Sequence, residues 1–129
     1  ATTAPDVRDT LRQLHERFVP ESGFATQVAA IDGQPIGHVT VCGHHLVHLF
    51  VAPDHQGRGI GRHLLEQGEA MIADMGHEHF EIHVRVDNPA AVAFYERSGW
   101  DHSGRVIHTI VHVIGYDEHV HVKACERDD

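Results

Sequence analysis

The most constraining feature of this sequence is a glycine-rich turn between an apolar run and an amphipathic helix. Residues 49–62 read LFVAPDHQGRGIGR, in which the apolar run ends at Pro53 and Gln56-Gly57-Arg58-Gly59-Ile60-Gly61 leads into the helix. Such a turn points several backbone N–H groups at one place, where the helix dipole adds positive potential. Glycine lets the backbone turn tightly and approach an anion without a Cβ in the way. The segment is therefore predicted to be a cradle for a pyrophosphate group.

The length and composition are those of one ordinary globular domain. The chain has 129 residues, of which 41% are hydrophobic and 22% charged, which is enough to bury a core and too apolar for a disordered chain. No apolar run approaches the ~20 residues of a membrane span, and no signal peptide is visible. The formal net charge of −9 argues against nucleic acid or an anionic membrane as the main partner, and it fits a cationic substrate such as an amine.

The cysteines and histidines bear on the compartment and on the surface charge. Cys42 and Cys125 lie far apart and neither belongs to a C-x-x-C pattern, so we expect reduced thiols that pack in the fold and a cytoplasmic location. Imidazole has an ordinary pKa of ~6.5. Protonation of all 15 histidines would change the formal charge from −9 to +6, so the charge of this histidine-rich chain changes sign in mild acid.

Hydrophobic periodicity and turn residues predict the element order α, β, β, β, α, β, α, β, β. A capped start at residues 3–6 and apolar residues at helical spacing from Val7 to Phe18 predict a first helix over 4–18. Asp32-Gly33 is a hairpin turn signal. The other predicted elements are strands over 24–31, 36–42, 45–51 and 80–86, helices over 59–75 and 90–97, and strands over 105–114 and 119–124 joined at Gly115. This order predicts a sheet of mixed direction in one α/β domain.

Three sequence features follow one another in a fixed order. A strand followed by Gln56-x-x-Gly59-x-Gly61 opens a helix, and Asn88-Pro89-Ala90-Ala91 caps a second helix roughly thirty residues later. That helix ends in Phe94-Tyr95-Glu96-Arg97-Ser98-Gly99-Trp100. Over about residues 24–124 the sequence resembles the GNAT superfamily of acyl-CoA-dependent N-acetyltransferases. A Rossmann motif would need glycine in place of Arg62, and a P-loop would need Gly-Lys-Ser/Thr after the turn.

The resemblance implies an α/β fold with a mixed, mostly antiparallel sheet flanked by helices. The sheet would be splayed at the strand before the Q-x-x-G-x-G turn, and the pantetheine arm of acetyl-CoA would enter the gap. Main-chain groups of Leu49, Phe50 and Val51 would then pair with pantetheine. The resemblance also implies that the pyrophosphate is held by N–H groups of these residues: Gln56, Gly57, Arg58, Gly59, Ile60, Gly61 and Arg62.

Three polar side chains near this predicted site have two interpretations each. The guanidinium groups of Arg58 and Arg62 either contact phosphates or lie exposed at the start of the helix. In the resembling family the asparagine at the position of Asn88 lies near the pantetheine or the thioester. The alternative for Asn88 is a plain N-cap, and one residue can fill both roles.

The family's reaction is direct attack of an amine on the acetyl-CoA thioester in a ternary complex. A primary amine with a pKa near ~10 is mostly protonated at pH 7, so a base must take its proton. Tyr95 matches the family's tyrosine, which acts as general acid toward the leaving thiolate, and the alternative is an aromatic packing residue. His45 falls where several relatives keep a glutamate or histidine base, whereas Val47 departs from an often acidic position. His48 is the second candidate because a bulge can change the side that it faces. Water and a surface position for either imidazole stay open.

The histidines also allow a metal-binding alternative. His119 and His121 project to one face of a strand, and a hairpin centred at Gly115-Tyr116 would bring His112 opposite His119 for a Zn or Ni site. A solvated polar face is the favoured interpretation, and no metal ligand is assigned. The functional alternatives to the enzyme are a non-catalytic acyl-CoA-binding or histidine-rich metal-binding module on the same fold, and an interaction domain whose cradle is vestigial.

The start of the chain departs from the family pattern. Relatives generally begin with a strand before the first helix, whereas this chain starts at the predicted helix cap. Three explanations are open: the first strand is missing from this sequence, a partner chain supplies a strand, or the sheet has one strand fewer than in the relatives. An open sheet edge is consistent with a homodimer. The acceptor is expected to be a small-molecule or peptide amine.

Overall fold

In the part of the chain that the structure describes, the fold is a seven-stranded sheet with two helices packed against it. The computed structural model describes residues 15–19, 23–111 and 114–125. In chain order the elements are β1 (His15–Val19), β2 (Phe24–Ile31), β3 (Gln34–Cys42), β4 (His45–Val51), α1 (Ile60–Asp74), β5 (His79–Arg85), α2 (Pro89–Arg97), β6 (Asp101–Val111) and β7 (Ile114–Ala124). A short 3₁₀ helix, Pro53–His55, lies between β4 and the glycine turn. Within the described residues no helix is long and apolar enough to span a membrane.

The strands lie in the order β1-β2-β3-β4-β5-β7-β6. The β4–β5 pair is parallel and every other neighbouring pair is antiparallel. The predicted α/β fold with a mixed, mostly antiparallel sheet is therefore confirmed. β2 and β4 have the bounds predicted for them, and the ends of α1 and α2 lie within one residue of their predicted ends. These elements were predictable because their apolar periodicity and their turn residues are local signals.

β1 occupies part of the segment that was predicted to be helical. Glu16 lies opposite Gln27 and Phe18 opposite Ala25 in the β1–β2 ladder, so the helix predicted over 4–18 is wrong for residues 15–18. Residues 4–14 lie outside the described residues. Pairing with β2 satisfies backbone N–H and C=O groups of both strands. Helical spacing within one segment carries no information about these hydrogen bonds to another segment.

The β6–β7 hairpin differs from its prediction in register. Val111 lies opposite Ile114 and Ile110 opposite Gly115, so Gly115 lies inside β7 and the predicted junction there is wrong. His119 lies opposite Val106, and the predicted pairing of His112 with His119 is wrong for the same reason. His112 itself lies outside the described residues. The ladder is irregular between His102 and Val106, a shift that alternation along one strand does not reveal.

The two parallel strands separate soon after they meet. His45 lies opposite Glu81 and Leu46 opposite Ile82, and no further ladder pair joins β4 to β5 among the described residues. Beyond this point β4 stays paired with β3 as far as Val51, while β5 stays paired with β7. A V-shaped gap therefore opens between β4 and β5, which is the splay predicted at the strand before the glycine turn.

Gly68 allows α1 to lie close to the sheet. A Cβ on Gly68 would lie 2.8 Å from Val39 Cγ2 and 3.2 Å from Leu46 Cδ1, and both neighbours are buried. We expect overpacking by the added methyl group to lower the free energy of unfolding of Gly68→Ala by about 1–3 kcal/mol. The higher helix propensity of alanine should offset ~1 kcal/mol of that loss. Urea denaturation would measure this loss. Gly61→Ala on the same helix is the control, since its Cβ would meet ordinary contacts at 3.6 Å and beyond, and equal losses in both variants would contradict the packing argument.

Candidate functional site

A cleft of about 590 Å³ lies where β4 and β5 have separated. Its walls come from the end of β4, the glycine turn, the first turn of α1 and one face of α2. The predicted cofactor-binding residues that line it are Leu49, Val51, Gln56, Gly57, Gly59, Gly61, Arg62, Asn88 and Tyr95. The tertiary structure thus brings two motifs that are distant in the sequence to opposite sides of one cavity.

The glycine turn leaves a run of backbone N–H groups without internal acceptors. The first helical hydrogen bond of α1 runs from the His63 N–H to the Gly59 carbonyl at 3.1 Å. In the part of the chain that the structure describes, no acceptor within the protein receives the N–H groups of residues 57–62. Gly57 and Gly59 have φ angles of +79° and +80°, a region that favours glycine. These N–H groups and the positive end of the α1 dipole suit an anion such as a diphosphate.

Three residues of the predicted set do not line the cleft with their side chains. The Phe50 ring lies on the opposite face of the sheet, 5.8 Å from the His38 ring between centroids. Ile60 is buried in the core, and Arg58 is exposed. Phe50 and Ile60 were predicted to act through main-chain groups. The direction of their side chains does not test that prediction.

Other polar groups define the edges of the cleft. Gln56 Nε2 donates to the Val51 carbonyl at 3.1 Å, so one of the main-chain acceptors predicted for pantetheine already has a donor. Arg62 Nε lies 3.7 Å from Glu66 Oε1. Arg97 also lines the cleft, and sequence analysis did not single it out. The signal that could have found it is its position in the last turn of α2, two residues after Tyr95.

α2 positions an asparagine and a buried tyrosine at the cleft. Asn88 Oδ1 accepts a hydrogen bond from the Ala91 N–H at 3.2 Å, so its N-cap interpretation is confirmed. Tyr95 is 7% exposed, and its ring centroid lies 5.2 Å from that of Phe94 and 6.1 Å from that of Trp100. Burial raises the pKa of the Tyr95 phenol, so its hydroxyl stays protonated at physiological pH. Tyr95 thus packs against aromatic neighbours and also contributes to the cleft wall.

A bulge in β4 puts both candidate bases on one face of the sheet. His45 lies opposite Cys42 and His48 opposite Thr40, with a register shift between Thr40 and Val41. Residues directly opposite share a face, and Thr40 and Cys42 are two apart, so His45 and His48 share the face away from α1. His45 belongs to the last paired stretch before the strands separate. Its side chain is 40% exposed.

Glu81 organises the polar groups around His45, and sequence analysis missed it. Its Oε2 lies 2.7 Å from His45 Nε2 and 3.0 Å from His83 Nε2, and its Oε1 accepts from Arg105 Nη2 at 2.8 Å. Partial burial alone would raise the pKa of Glu81, but hydrogen bonds from His83, His45 and Arg105 outweigh it and lower the pKa to about 2. The carboxylate is therefore ionised and accepts only, so Nε2 of His45 must carry the proton. The one sequence signal was polar alternation along β5.

A second group of histidines lies between β6, β7 and α2. His121 is completely buried, which contradicts a solvated polar face at this position. Its Nε2 lies 3.4 Å from Glu96 Oε1, and its Nδ1 has no hydrogen-bond partner among the described residues. The imidazole that joins His119 and His121 is His102, with His102 Nε2 lying 2.8 Å from His119 Nδ1. His102 was not predicted, because its position depends on the register shift in β6.

Comparison with known families agrees with this geometry. The sequence model of the acetyltransferase (GNAT) family matches residues 2–100. The chain belongs to the GNAT family. A curated GNAT relative, the peptidyl-lysine N-acetyltransferase YjaB of Escherichia coli, is 33% identical over 100 residues, which cover 78% of this chain and 64% of that protein. The chain thus spans just under two thirds of the length of that relative.

Solved GNAT structures share the fold at lower sequence identity. A GNAT acetyltransferase from Elizabethkingia anophelis with acetyl-CoA bound has a TM-score of 0.72 and 12% identity, and the match covers 87% of this chain and 97% of that one. A spermidine N-acetyltransferase chimera from Vibrio cholerae and hSSAT has a TM-score of 0.65 and 21% identity, with 82% and 69% covered. At these identities the likeness concerns the fold alone.

Proposed function

We propose that this GNAT domain is an acetyl-CoA-dependent N-acetyltransferase that acts on a primary amine by direct attack in a ternary complex. The observation that carries the proposal is the run of N–H groups at residues 57–62, which has no internal acceptor and lies at the mouth of a cleft between separated strands. Family membership and the relative named as a peptidyl-lysine N-acetyltransferase support it. The same relative favours an enzyme over a non-catalytic acyl-CoA-binding or metal-binding module.

In this proposal the chain holds acetyl-CoA, which supplies an activated thioester, through main-chain groups. The N–H groups of residues 57–62 donate to the diphosphate, whereas the Gln56 N–H already donates to the Pro53 carbonyl at 3.4 Å. Main-chain groups of β4 from Leu49 to Val51 pair with the pantetheine arm, and the Val51 carbonyl, which accepts from Gln56 Nε2 at 3.1 Å, is the weakest of them. Arg62 and Arg97 line the cleft and add positive charge beside the phosphates. Arg58 is exposed and stays the weaker candidate for a phosphate contact. Asn88 lines the same cleft and combines its N-cap role with a place beside the pantetheine.

We infer that His45 is the general base and that Glu81 is its positioning residue. Because Glu81 Oε2 receives the Nε2 proton of His45, Nδ1 is the ring atom that carries the free lone pair. This atom takes a proton from the ammonium form of the substrate, directly or through water. Arg105 fixes the other oxygen of the same carboxylate at 2.8 Å, which restricts the rotation of Glu81.

We infer that Tyr95 is the group that stabilises the leaving thiolate. Its hydroxyl is protonated because burial raises its pKa, so it is available as a hydrogen-bond donor to a sulfur anion. Complete transfer of the proton would leave a phenolate that the same burial disfavours. The main contribution of Tyr95 is therefore a hydrogen bond that strengthens as negative charge develops on the sulfur.

The decisive test of the proposed function is thiol release from acetyl-CoA with a panel of amines. We expect turnover with at least one acceptor among lysine-containing peptides, peptide N-termini and polyamines, since the chain carries a net charge of −9 that favours cationic acceptors. Absence of turnover with retained CoA binding would favour the non-catalytic module. No increase in melting temperature with CoA would favour a vestigial cradle.

Replacement of the two candidate bases should separate them. We expect His45→Ala to lower kcat by about 100-fold, within the range for loss of a general base, with a smaller change in KM for acetyl-CoA. His48→Ala is the matched control, because it removes an exposed imidazole from the same face of the same strand, and it should change kcat less than about threefold. The reverse ranking would assign the base to His48, and no effect in either variant would leave water as the base.

The domain and its assembly belong to the same proposal. We propose that the chain forms one GNAT domain. A homodimer would use an edge strand, whose backbone groups are unpaired on one side. In the described sheet those edges are β1 and β6, and sedimentation equilibrium would decide between monomer and homodimer. A cytoplasmic location is proposed because the chain has only two cysteines, which lie far apart in the sequence and outside any C-x-x-C pattern, as is usual in a reducing compartment.

A further inference from the structure

Two histidines and a glutamate converge at the point where β4 and β5 meet. The ligand atoms of His44, His45 and Glu81 all lie within 4.8 Å of one another. The Nε2 atom of His83 lies 3.0 Å from the same Glu81 oxygen that His45 contacts. We propose that His44, His45 and Glu81 bind one divalent transition-metal ion of the Zn²⁺ class, with His83 beside them on the same carboxylate oxygen; the four residues are called the β4–β5 histidine cluster. The binding stands apart from the proposed function, and only its consequence for activity rests on it.

The chemistry of the donors matches such an ion. Imidazole nitrogen and carboxylate oxygen are common ligands of Zn²⁺, at about 2.0–2.2 Å in a tetrahedral arrangement. The 2.7 Å between His45 Nε2 and Glu81 Oε2 holds a shared proton. An ion can take the place of that proton when His45 Nε2 and Glu81 Oε2 move apart to about 3.3 Å. This is the separation between two tetrahedral ligands that each lie about 2.0–2.2 Å from the metal. Neutral imidazole has a single N–H, so the proton that leaves Nε2 to solvent is balanced by a proton taken up at Nδ1, and His45 binds the ion as a neutral ligand.

The backbone and a neighbouring arginine hold the cluster together before an ion binds. The Glu81 N–H donates to the His44 carbonyl at 2.9 Å, which ties the turn before β4 to β5. The imidazole rings of His44 and His45 lie 4.0 Å apart between centroids. Arg105 Nη2 contacts Glu81 Oε1 at 2.8 Å, so Oε2 is the oxygen that faces the histidines. A partner on the outer oxygen orients a ligating carboxylate, although the guanidinium charge lowers the affinity for a cation.

The cluster is also open to solvent. The side chains of His45 and His83 are 40% and 33% exposed, and Glu81 is 16% exposed. An ion can therefore reach the carboxylate without unfolding of the sheet. Coordination through His45 Nε2 would place a positive charge on the proposed base and weaken it, so the ion should inhibit acetyl transfer.

Isothermal titration of the chelator-treated full chain with Zn²⁺ tests the site. We expect one ion per chain in the tightest step, with affinity reduced about tenfold or more in both His44→Ala and Glu81→Gln, since each removes one ligand. His108→Asn is the matched control, because it removes a histidine from an isolated exposed pair, His108 Nδ1–Asp117 Oδ1 at 2.8 Å. Its tightest step should be unchanged.

Three results would overturn the site. They are no binding to the wild type, the same isotherm in wild type, His44→Ala and Glu81→Gln, or an equal loss in His108→Asn, which would indicate unselective binding by surface histidines. The melting temperature of each variant with and without CoA shows whether it is folded. His44→Ala should also make acetyl transfer less sensitive to Zn²⁺. Absence of any transferase activity would count against the proposed function alone, because the isotherms report the metal site directly.

Discussion

Gly61→Asp should abolish coenzyme A binding while the protein stays folded. A Cβ on Gly61 would lie 3.6 Å from Val51 Cγ2 and 3.7 Å from Phe94 Cζ, which are ordinary contact distances, so the backbone can accept a side chain. The added carboxylate would enter the cleft beside the N–H groups of residues 57–62, occupy some of them and repel a diphosphate. We expect the Kd for CoA to rise about 100-fold or more, equivalent to about 2.8 kcal/mol. Titration calorimetry would measure this change.

Two companion variants divide this effect into its causes. Gly61→Ala adds the Cβ without the charge and should cost much less affinity than the aspartate. Ala70→Asp adds the same charge at an exposed position of α1 outside the cleft, and its Kd for CoA should match that of the wild type. Gly59→Asp should also prevent binding, but the φ of +80° at Gly59 adds backbone strain, which makes it the less clean test. Wild-type affinity in Gly61→Asp would remove the cradle assignment.

Tyr95→Phe should lower kcat by about 100-fold with little change in KM for acetyl-CoA. The phenyl ring keeps the contacts with Phe94 and Trp100, so only the donor to the leaving sulfur is lost, and loss of such a catalytic donor typically costs 10² or more in rate, as a rough guide. Because burial raises the pKa of this phenol above its ordinary 10.0, its proton should remain bound beyond the pH at which an exposed tyrosine is half ionised. Steady-state kinetics across the alkaline range would measure both effects.

The other tyrosine of the chain supplies the control. Tyr116 lies on β7 with the Arg85 guanidinium 4.4 Å from its ring centroid, and it does not line the cleft. Tyr116→Phe removes the same hydroxyl from a different place and should leave kcat within about twofold. Equal turnover in Tyr95→Phe and the wild type would reduce Tyr95 to a packing residue.

The predictions that were confirmed concern elements specified by neighbouring residues. β2, β4, α1 and α2 were predictable because periodicity and caps such as Asn88 act within a few residues. The errors concern pairing between segments. Residues 15–18 carry a helical spacing but lie in β1 because β2 offers them a ladder. The junction at Gly115 was misplaced because the β6–β7 register is set across the hairpin and shifts near His102.

The sequence alone identified the family and predicted the cradle with the residues around it, because a turn that would bind an anion through its own N–H groups needs glycine, and glycine is visible in a sequence. It could not reveal the partners of His45. Glu81 and Arg105 are 36 and 60 residues away along the chain, and only the pairing of β4 with β5 and of β7 with β6 brings them to one place. A hydrogen bond depends on the distance between atoms in space, which strand register sets and local sequence pattern does not.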